Sequence, residues 1–333
     1  MPTVLSTLKK HKKHKKHKKK RSIPRECECH EPVVKRSLVD PFIHSIHEAI
    51  KEIDLYGFAV VRNVLSNELI QHVRNEFFSW KATLPWNYDR NSKHSIIKQY
   101  EVGNQRFAWL IRTNPRILQI FRTIWQCTDL VTSMDGCGYM ARDLRTVDKP
   151  STEWTHVDQT MPCTTKCIQG WAALTSNIER TLLVYRRSHL QYRQYFESRG
   201  IKHSTKNWLK IDRDYLKEIE GDRVKVQVEA GDFVLWDSKT FHRNSYGERG
   251  NGEERLVQFV CMFPKHDVRN TVSMQKKRKK YFYTRRSTSH WPYPIKVNAQ
   301  QPQTYGDHSL LVKYENLQPP HLDDLMPQIQ ELL

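Results

Sequence analysis

The sequence predicts an α+β, mainly β, fold: a double-sheet jelly roll preceded by helices. Two observations lead to this prediction. Between positions 40 and 125, apolar residues recur at helical spacing. Between positions 130 and 263, they occur in short runs separated by turn residues. About eight short strands of this kind are typical of two antiparallel sheets packed as a jelly roll.

The helical part begins with residues 41–55, whose apolar side chains lie near helical spacing, and Gly57 ends this helix. Residues 58–61 form a short strand. Ser66 is a candidate N-cap for a second helix, because its hydroxyl can accept a hydrogen bond from an early backbone N–H. A further helix is predicted over 114–125, since proline is well tolerated at the first helical position. We expect these helices to pack against the outer face of one sheet.

The β part is predicted to contain the strands 130–134, 138–141, 154–156, 168–174, 182–185, 223–228, 233–236 and 256–263. Residues 230–232 (Ala-Gly-Asp) are typical of a tight hairpin turn. A charged, aromatic and partly helical connection spans 189–221. It could form one wall of a substrate mouth or be a solvated connection, and the residues leave both alternatives open.

The organisation of the chain follows from its length and charge. We expect a disordered basic tail at 1–36, one jelly-roll domain at 37–270, and a basic and aromatic extension at 271–333 packed on that domain. The net charge is +19, and the tail contains 13 Lys/Arg against 3 Asp/Glu. A chain that stays basic without its tail favours anionic partners or substrates.

Composition also bears on the location of the protein. No apolar run approaches the about 18 residues of a membrane span, and no apolar region typical of a secretory signal follows the N-terminus. The seven cysteines are an odd number in mostly apolar contexts, which favours reduced thiols. We therefore expect an intracellular protein, in the cytoplasm or the nucleus.

Two basic segments suggest a possible role in nucleic-acid binding. Residues 9–21 repeat Lys-Lys-His and contain no apolar residue, so they are expected to be a nuclear import signal, a nucleic-acid-binding tail or a passive solvated tail. Residues 276–286 interleave basic and aromatic side chains, which can clamp a nucleic acid or wrap on the domain with the lysines outside. We expect Trp291 and Tyr293 to pack on the domain.

Three residues form a candidate metal site. His156 and Asp158 stand two positions apart, and residues i and i+2 of a strand point to the same side. His242 comes at the far end of the β-rich run 233–237. Two histidines and one carboxylate are the ligands of non-haem Fe(II) oxygenases, and they leave positions open for a co-substrate and O₂.

A fourth residue, Arg255, opens the almost fully apolar run 255–263. An arginine at the start of a buried strand needs an anion as its partner. Its fork-shaped guanidinium matches a carboxylate.

With these residues in place, the chain resembles the phytanoyl-CoA dioxygenase-like family of Fe(II)/2-oxoglutarate oxygenases over roughly residues 40–265. The matching segments are 57–61, 154–159, 169–171, 188–189 and 231–237, together with His242 and Arg255.

The resemblance implies a role for each candidate residue. His156, Asp158 and His242 would bind Fe(II), and Arg255 would hold the distal carboxylate of 2-oxoglutarate. Further co-substrate positions are implied at Trp171, on the strand after the His-x-Asp motif, at Met140, on the strand before it, and at Asn244, two residues past the second histidine. His189 is expected to make a structural contact near the site.

The resemblance also implies a cupin-like double-stranded β-helix and an oxidoreductase activity. The expected reaction is hydroxylation of a small-molecule or polyanionic substrate by O₂, with 2-oxoglutarate converted to succinate and CO₂. Asp158 favours hydroxylation, since halogenating relatives have a small residue at this position. Two alternatives remain: a nucleic-acid-binding jelly-roll protein with a vestigial or nucleic-acid-directed oxygenase site, and a cupin-like metalloenzyme without 2-oxoglutarate. The second would leave Arg255 without its anion.

Overall fold

A computed structural model describes residues 40–85, 93–143, 153–161, 165–201, 208–248, 252–304 and 306–333. The predicted tail at 1–36, including the basic run at 9–21, lies outside the described residues.

The N-terminal helices begin and end at local capping signals. Asp40 accepts a hydrogen bond from the amide of Phe42 at the start of the first helix, and Gly57 ends that helix in the left-handed region, with φ 90°. The hydroxyl of Ser66 accepts from the amide of Leu69 and caps the second helix. The helices are α1 (Pro41–Tyr56), α2 (Asn67–Lys81), α3 (Arg106–Arg112) and α4 (Pro115–Trp125). The sequence predicted all of these except α3.

The strands are short and pair antiparallel in three sheets. They are β1 (Phe58–Val61), β2 (Ile96–Ile97), β3 (Leu130–Thr132), β4 (Cys137–Met140), β5 (His156–Val157), β6 (Ile168–Ala173), β7 (Asn177–Tyr185), β8 (Leu209–Lys210), β9 (Arg223–Val228), β10 (Phe233–Asp237), β11 (His242–Asn244), β12 (Arg255–Val260) and β13 (Met262–Pro264). One sheet has the order β1-β10-β6-β12-β4-β2, a second the order β8-β5-β11-β7-β9, and β13 pairs with β3.

The two larger sheets share an apolar core. Trp171, Val234 and Val257 of the six-stranded sheet pack with Leu182 and Val226 of the five-stranded sheet. On β10 and β12 the alternate residues point the other way and contact the helices. This alternation follows from the two-residue period of a strand. Two antiparallel sheets packed face to face confirm the predicted jelly roll.

The outer face of each sheet is covered by helices. Helices α1 to α4 cover the six-stranded sheet, as predicted. Helices α5 (Ser188–Ser198) and α6 (Arg213–Glu218) cover the five-stranded sheet, where Tyr195, Phe196 and Leu216 pack against Leu183 and Tyr185. The described helices of the connection at 189–221 therefore cover this sheet, and its Trp208 also lies against His156.

The predicted hairpin at 230–232 is wrong. β9 pairs with β7, whereas β10 pairs with β1 and β6, so the turn carries the chain from one sheet to the other. Gly231 adopts φ 100°, as a tight turn needs. The carboxylate of Asp232 accepts hydrogen bonds from the amide of Asn63 at 3.1 Å and from Arg62 at 2.6 Å. Turn residues reverse the chain but do not decide which strand becomes the partner.

The C-terminal part contains α7 (Val272–Tyr283) and α8 (Met326–Leu332). Arg278 is buried and donates to the side chain of Asn270 at 2.7 Å and to the carbonyl of Pro292 at 3.1 Å. Phe282 packs edge-on against Trp109, with ring centroids 5.5 Å apart. Arg278 and Phe282 of the 276–286 cluster are therefore held inside the protein, with the lysines of the cluster exposed, and no observation on the described residues supports nucleic-acid binding by it.

Two further expectations concern the buried aromatic residues of this region and membrane-spanning helices. Trp291 and Tyr293 are buried and pack against Phe263, as expected. No helix among the described residues is both long enough and apolar enough to cross a membrane.

Candidate metal centre and co-substrate site

The three candidate metal ligands lie close together. His156 of β5 and His242 of β11 are paired residues of neighbouring strands, and Asp158 follows β5 directly. Nε2 of His156 is 3.4 Å from Oδ1 of Asp158, and Nε2 of His242 is 3.2 Å from Oδ2. One ligand atom from each residue lies within 4.8 Å of the others. With small side-chain shifts, this spacing suits one ion at about 2.0–2.2 Å from each atom.

Backbone carbonyls orient both histidines. Nδ1 of His156 lies 3.2 Å from the carbonyl oxygen of Trp154, and Nδ1 of His242 lies 2.8 Å from that of Thr240. A carbonyl only accepts, so the ring proton belongs on Nδ1 in both cases. The lone pair of each Nε2 is then directed toward Asp158, as a metal site requires.

Gln169 orients the carboxylate. Its Nε2 donates to Oδ2 of Asp158 at 2.8 Å and to the hydroxyl of Ser238 at 3.0 Å. The amide of Asp158 donates to the carbonyl of Ser238 at 2.9 Å. Sequence reasoning matched Gln169 to the family but gave it no role. The available signal was one polar side chain in an apolar strand, on the same face as Trp171.

The electrostatics favour the metal-binding protonation state. Burial, together with nearby His242, lowers the pKa of His156. Burial opposes ionisation of Asp158, but the nearby imidazoles of His156 and His290 hold the pKa of this carboxyl well below its usual range. A neutral imidazole and an ionised carboxylate are the species that bind a divalent metal.

Arg255 has the properties of an anion anchor. Its side chain is fully buried, and none of Nε, Nη1 and Nη2 has a hydrogen-bond partner among the described residues. Burial lowers the pKa of Arg255 to about 10, which nearby Tyr246 and Cys137 oppose. Unpaired buried charges are strongly destabilising, so the site fits a carboxylate that arrives with a co-substrate.

The surroundings of Arg255 are tightly fitted. Its guanidinium carbon lies 5.4 Å from the ring centroid of Trp171, which lines the cavity beside the triad. A Cβ on Gly138 would lie 2.7 Å from Nη1 of Arg255. Glycine at this position therefore makes room for the guanidinium, a role that sequence reasoning missed.

Of the remaining predicted residues, Asn244 lines the cavity, whereas Met140 and His189 do not. Met140 is paired across the sheet with Arg255 and packs against Tyr246, but it does not line the cavity. Asn244 lines the cavity, and its side-chain amide donates to the carbonyl of His94 at 3.1 Å. Nε2 of His189 lies 3.1 Å from the carbonyl of Asp54, a structural contact away from the triad.

A cavity of about 810 Å³ opens beside the triad. His94 stacks on Trp154 at 3.8 Å, and Trp154 stacks on His156 at 4.8 Å. The ring of Trp208 lies 5.3 Å from that of His156. Trp208 belongs to the connection 189–221, for which the sequence left a substrate-mouth wall open, whereas His94 and Trp154 were not assigned from the sequence.

A jelly roll with two histidines, one carboxylate and a buried arginine against the cavity-lining Trp171 defines the class of protein as a non-haem metal oxygenase. The chain belongs to the phytanoyl-CoA dioxygenase family of Fe(II)/2-oxoglutarate-dependent oxygenases, as the sequence predicted. The family model, phytanoyl-CoA dioxygenase (PhyH), matches residues 53–250. Arg255 and the whole C-terminal part lie beyond the matched residues.

The chain is also similar to individual proteins. It is 24% identical over 236 residues to Ava biosynthesis cluster protein O of Aspergillus versicolor, covering 63% of this chain and 75% of the relative. Among solved structures, it is similar to the epimerase SnoN in complex with Fe3+, alpha ketoglutarate and nogalamycin RO, with 16% identity, 68% and 85% of the two chains covered and a TM-score of 0.47. It is also similar to HygX from Streptomyces hygroscopicus with nickel and 2-oxoglutarate bound, with 13% identity, 66% and 87% covered and a TM-score of 0.46.

Proposed function

We propose that this protein hydroxylates a small organic substrate in a reaction that consumes 2-oxoglutarate and O₂ and releases succinate and CO₂. The observation that carries the proposal is the buried guanidinium of Arg255, which has no partner among the described residues. It lies against Trp171, which lines the cavity beside the His156–Asp158–His242 cluster. A metalloenzyme that does not use 2-oxoglutarate would leave this charge unpaired. The cost would be several kcal/mol, about that of breaking a buried ion pair.

The metal ligands and Arg255 would have separate roles. His156, Asp158 and His242 would hold Fe(II), and Arg255 would hold the distal carboxylate of 2-oxoglutarate. When bound, the iron and its co-substrate supply the oxidising power for C–H cleavage. The carbonyls of Trp154 and Thr240 keep both histidines in the metal-binding tautomer.

Arg255 has no exposed surface, so a carboxylate can reach it only if a neighbouring side chain moves. Trp171 lies against the guanidinium and also lines the cavity. A movement of its indole would therefore open a path from the cavity to Arg255. With the carboxylate in place, the indole would exclude water from the new ion pair. Water exclusion strengthens such a pair, because the local dielectric constant is low.

Succinate release tests the proposal. The full chain is incubated with Fe(II), 2-oxoglutarate and O₂, with and without a panel of small organic compounds. We expect slow succinate formation that a true substrate accelerates, and we expect His242→Ala to abolish it. His266→Ala is the matched control, since His266 is an exposed histidine that pairs with Asp129. Equal turnover in His242→Ala and wild type would contradict the assigned metal site, and metal binding without any 2-oxoglutarate consumption would contradict the co-substrate.

A further inference from the structure

Part of the cavity wall comes from the C-terminal segment, beyond the residues that the family model matches. Within 289–303, the cavity is lined among others by His290, Trp291, Lys296, Asn298 and Gln301. The family model therefore does not describe this part of the pocket.

This wall is fixed to the domain by backbone hydrogen bonds. Thr288 forms a β-bridge with Val297, and the amide of Ser289 donates to the carbonyl of Lys296 at 2.8 Å. The amide of Thr288 donates to the carbonyl of Met134 at 2.8 Å, and the hydroxyl of Thr288 accepts from the amide of Met134 at 3.0 Å. A wall held in this way can position a ligand.

The described lining of the cavity contains two lysines and two carboxylates. Lys98 and Lys296 both line it, both are exposed, and neither has an ion pair within the described part of the chain. Besides the candidate ligand Asp158, the one described carboxylate in the lining is Asp135, which already accepts from the amide of Gly136 at 2.7 Å. The two exposed lysines are therefore the groups of the described lining that are available to pair with an anionic part of a ligand.

The walls of the cavity are flat and aromatic. Trp208 is 41% exposed, an unusual value for an indole, and its ring lies near that of His156. The rings of Trp154 and His94 are stacked nearly parallel, with 11° between their planes, so they cover each other. The exposed indole of Trp208 suits a planar, unsaturated ligand. His290 adds a hydrogen-bonding group, because its buried Nε2 has no partner among the described residues.

We propose that the substrate is a small organic anion with a planar, unsaturated frame. Its anionic group pairs with Lys98 and Lys296, its frame lies against Trp208, and a polar group on it meets His290. The inference names the substrate class of the proposed oxygenase and rests on that proposal for the reaction, but not for the binding.

Equilibrium binding tests the inference without turnover. The full chain is loaded with Ni(II) and 2-oxoglutarate, and 2-naphthoate is titrated by calorimetry against its uncharged counterpart 2-naphthalenemethanol. We expect the wild type to bind the acid about 3- to 10-fold more tightly, the gain that two exposed ion pairs commonly supply. The variant Lys98→Gln/Lys296→Gln should lose this preference. Trp208→Ala should weaken both compounds about 2- to 10-fold, because stacking does not depend on charge.

The control removes two charges elsewhere. Lys279→Gln/Lys280→Gln alters exposed lysines of α7 and should keep the preference. The inference is overturned if wild type does not bind 2-naphthoate, if it binds both compounds equally, or if both double variants lose the same amount. It is also overturned if Lys98→Gln/Lys296→Gln weakens 2-oxoglutarate instead of 2-naphthoate. A protein that keeps the acid preference but never forms succinate would contradict the proposed reaction alone.

Discussion

At the scale of single residues, Arg255 is the most informative side chain. Arg255→Leu removes a buried charge that has no partner among the described residues, so the fold should tolerate it. We expect the concentration of 2-oxoglutarate that half-saturates the protein to rise on the order of a hundredfold, with metal affinity nearly unchanged. Calorimetric titration of 2-oxoglutarate and of Ni(II) checks both values. Equal 2-oxoglutarate affinity in wild type and variant would assign the anchor to another residue.

Gly138 gives a second test at this scale. A Cβ at this position would lie 2.7 Å from Nη1 of Arg255 and 2.9 Å from Val257, so Gly138→Ala should displace the guanidinium. We expect about tenfold weaker 2-oxoglutarate binding, since a misplaced group loses much of a bidentate contact. Gly221→Ala is the control, because nothing lies within 4 Å of a Cβ there. The same titration measures both variants. An unchanged 2-oxoglutarate affinity in Gly138→Ala would show that the site accommodates the added methyl group.

The candidate ligands could be predicted because they are polar residues next to apolar runs, and because His156 and Asp158 stand two positions apart and so point to the same side of a strand. Arg255 stands out in the same way, at the start of the run 255–263. Gln169 and His290 could not be assigned from the sequence. Their roles depend on which strand or segment lies beside Asp158, and no local pattern encodes that neighbour.

At the scale of elements, the C-terminal wall depends on Thr288. Thr288→Val leaves the amide of Met134 without its side-chain acceptor in a buried place, which costs about 1–3 kcal/mol. We expect the free energy of unfolding in urea to fall by about that amount. Thr284→Val is the control at an exposed position and should change it by less than about 0.5 kcal/mol. Equal stability of both variants would mean that the wall is not held at this point.

The limits of prediction at this scale have physical causes. Helices α1, α2 and α4 carry a periodic pattern and capping residues, and the bounds of α1 and α4 and the start of α2 were predicted closely. Strands β2, β8 and β11 are two or three residues long, too short for any period. The turn at 230–232 was correctly placed, but its partner strands were not, because sheet pairing in a jelly roll is decided by distant segments.

At the scale of the whole molecule, we expect the basic tail to contribute to electrostatic binding and not to the reaction. The tail at 1–36 holds ten of the 19 net positive charges, and all the candidate site residues come after it. Deleting residues 1–36 should leave succinate formation nearly intact and flatten the salt dependence of any oligonucleotide affinity, because fewer counterions are released. The plot of log affinity against log salt measures this effect. An identical slope with and without the tail would show that the tail makes no such contacts, and loss of succinate formation would show that it is part of the active domain.

The central claim is that one Fe(II) and one 2-oxoglutarate share the site formed by His156, Asp158, His242 and Arg255. Anaerobic titration of the full chain with both compounds, followed by visible absorption, tests it most directly. We predict one Fe(II) per chain and a charge-transfer band that develops only when 2-oxoglutarate is also present. Asp158→Ala, with an unchanged circular dichroism spectrum, should lack the band. A wild type without the band at saturating Fe(II) and 2-oxoglutarate, or an equal band in Asp158→Ala, would contradict the account.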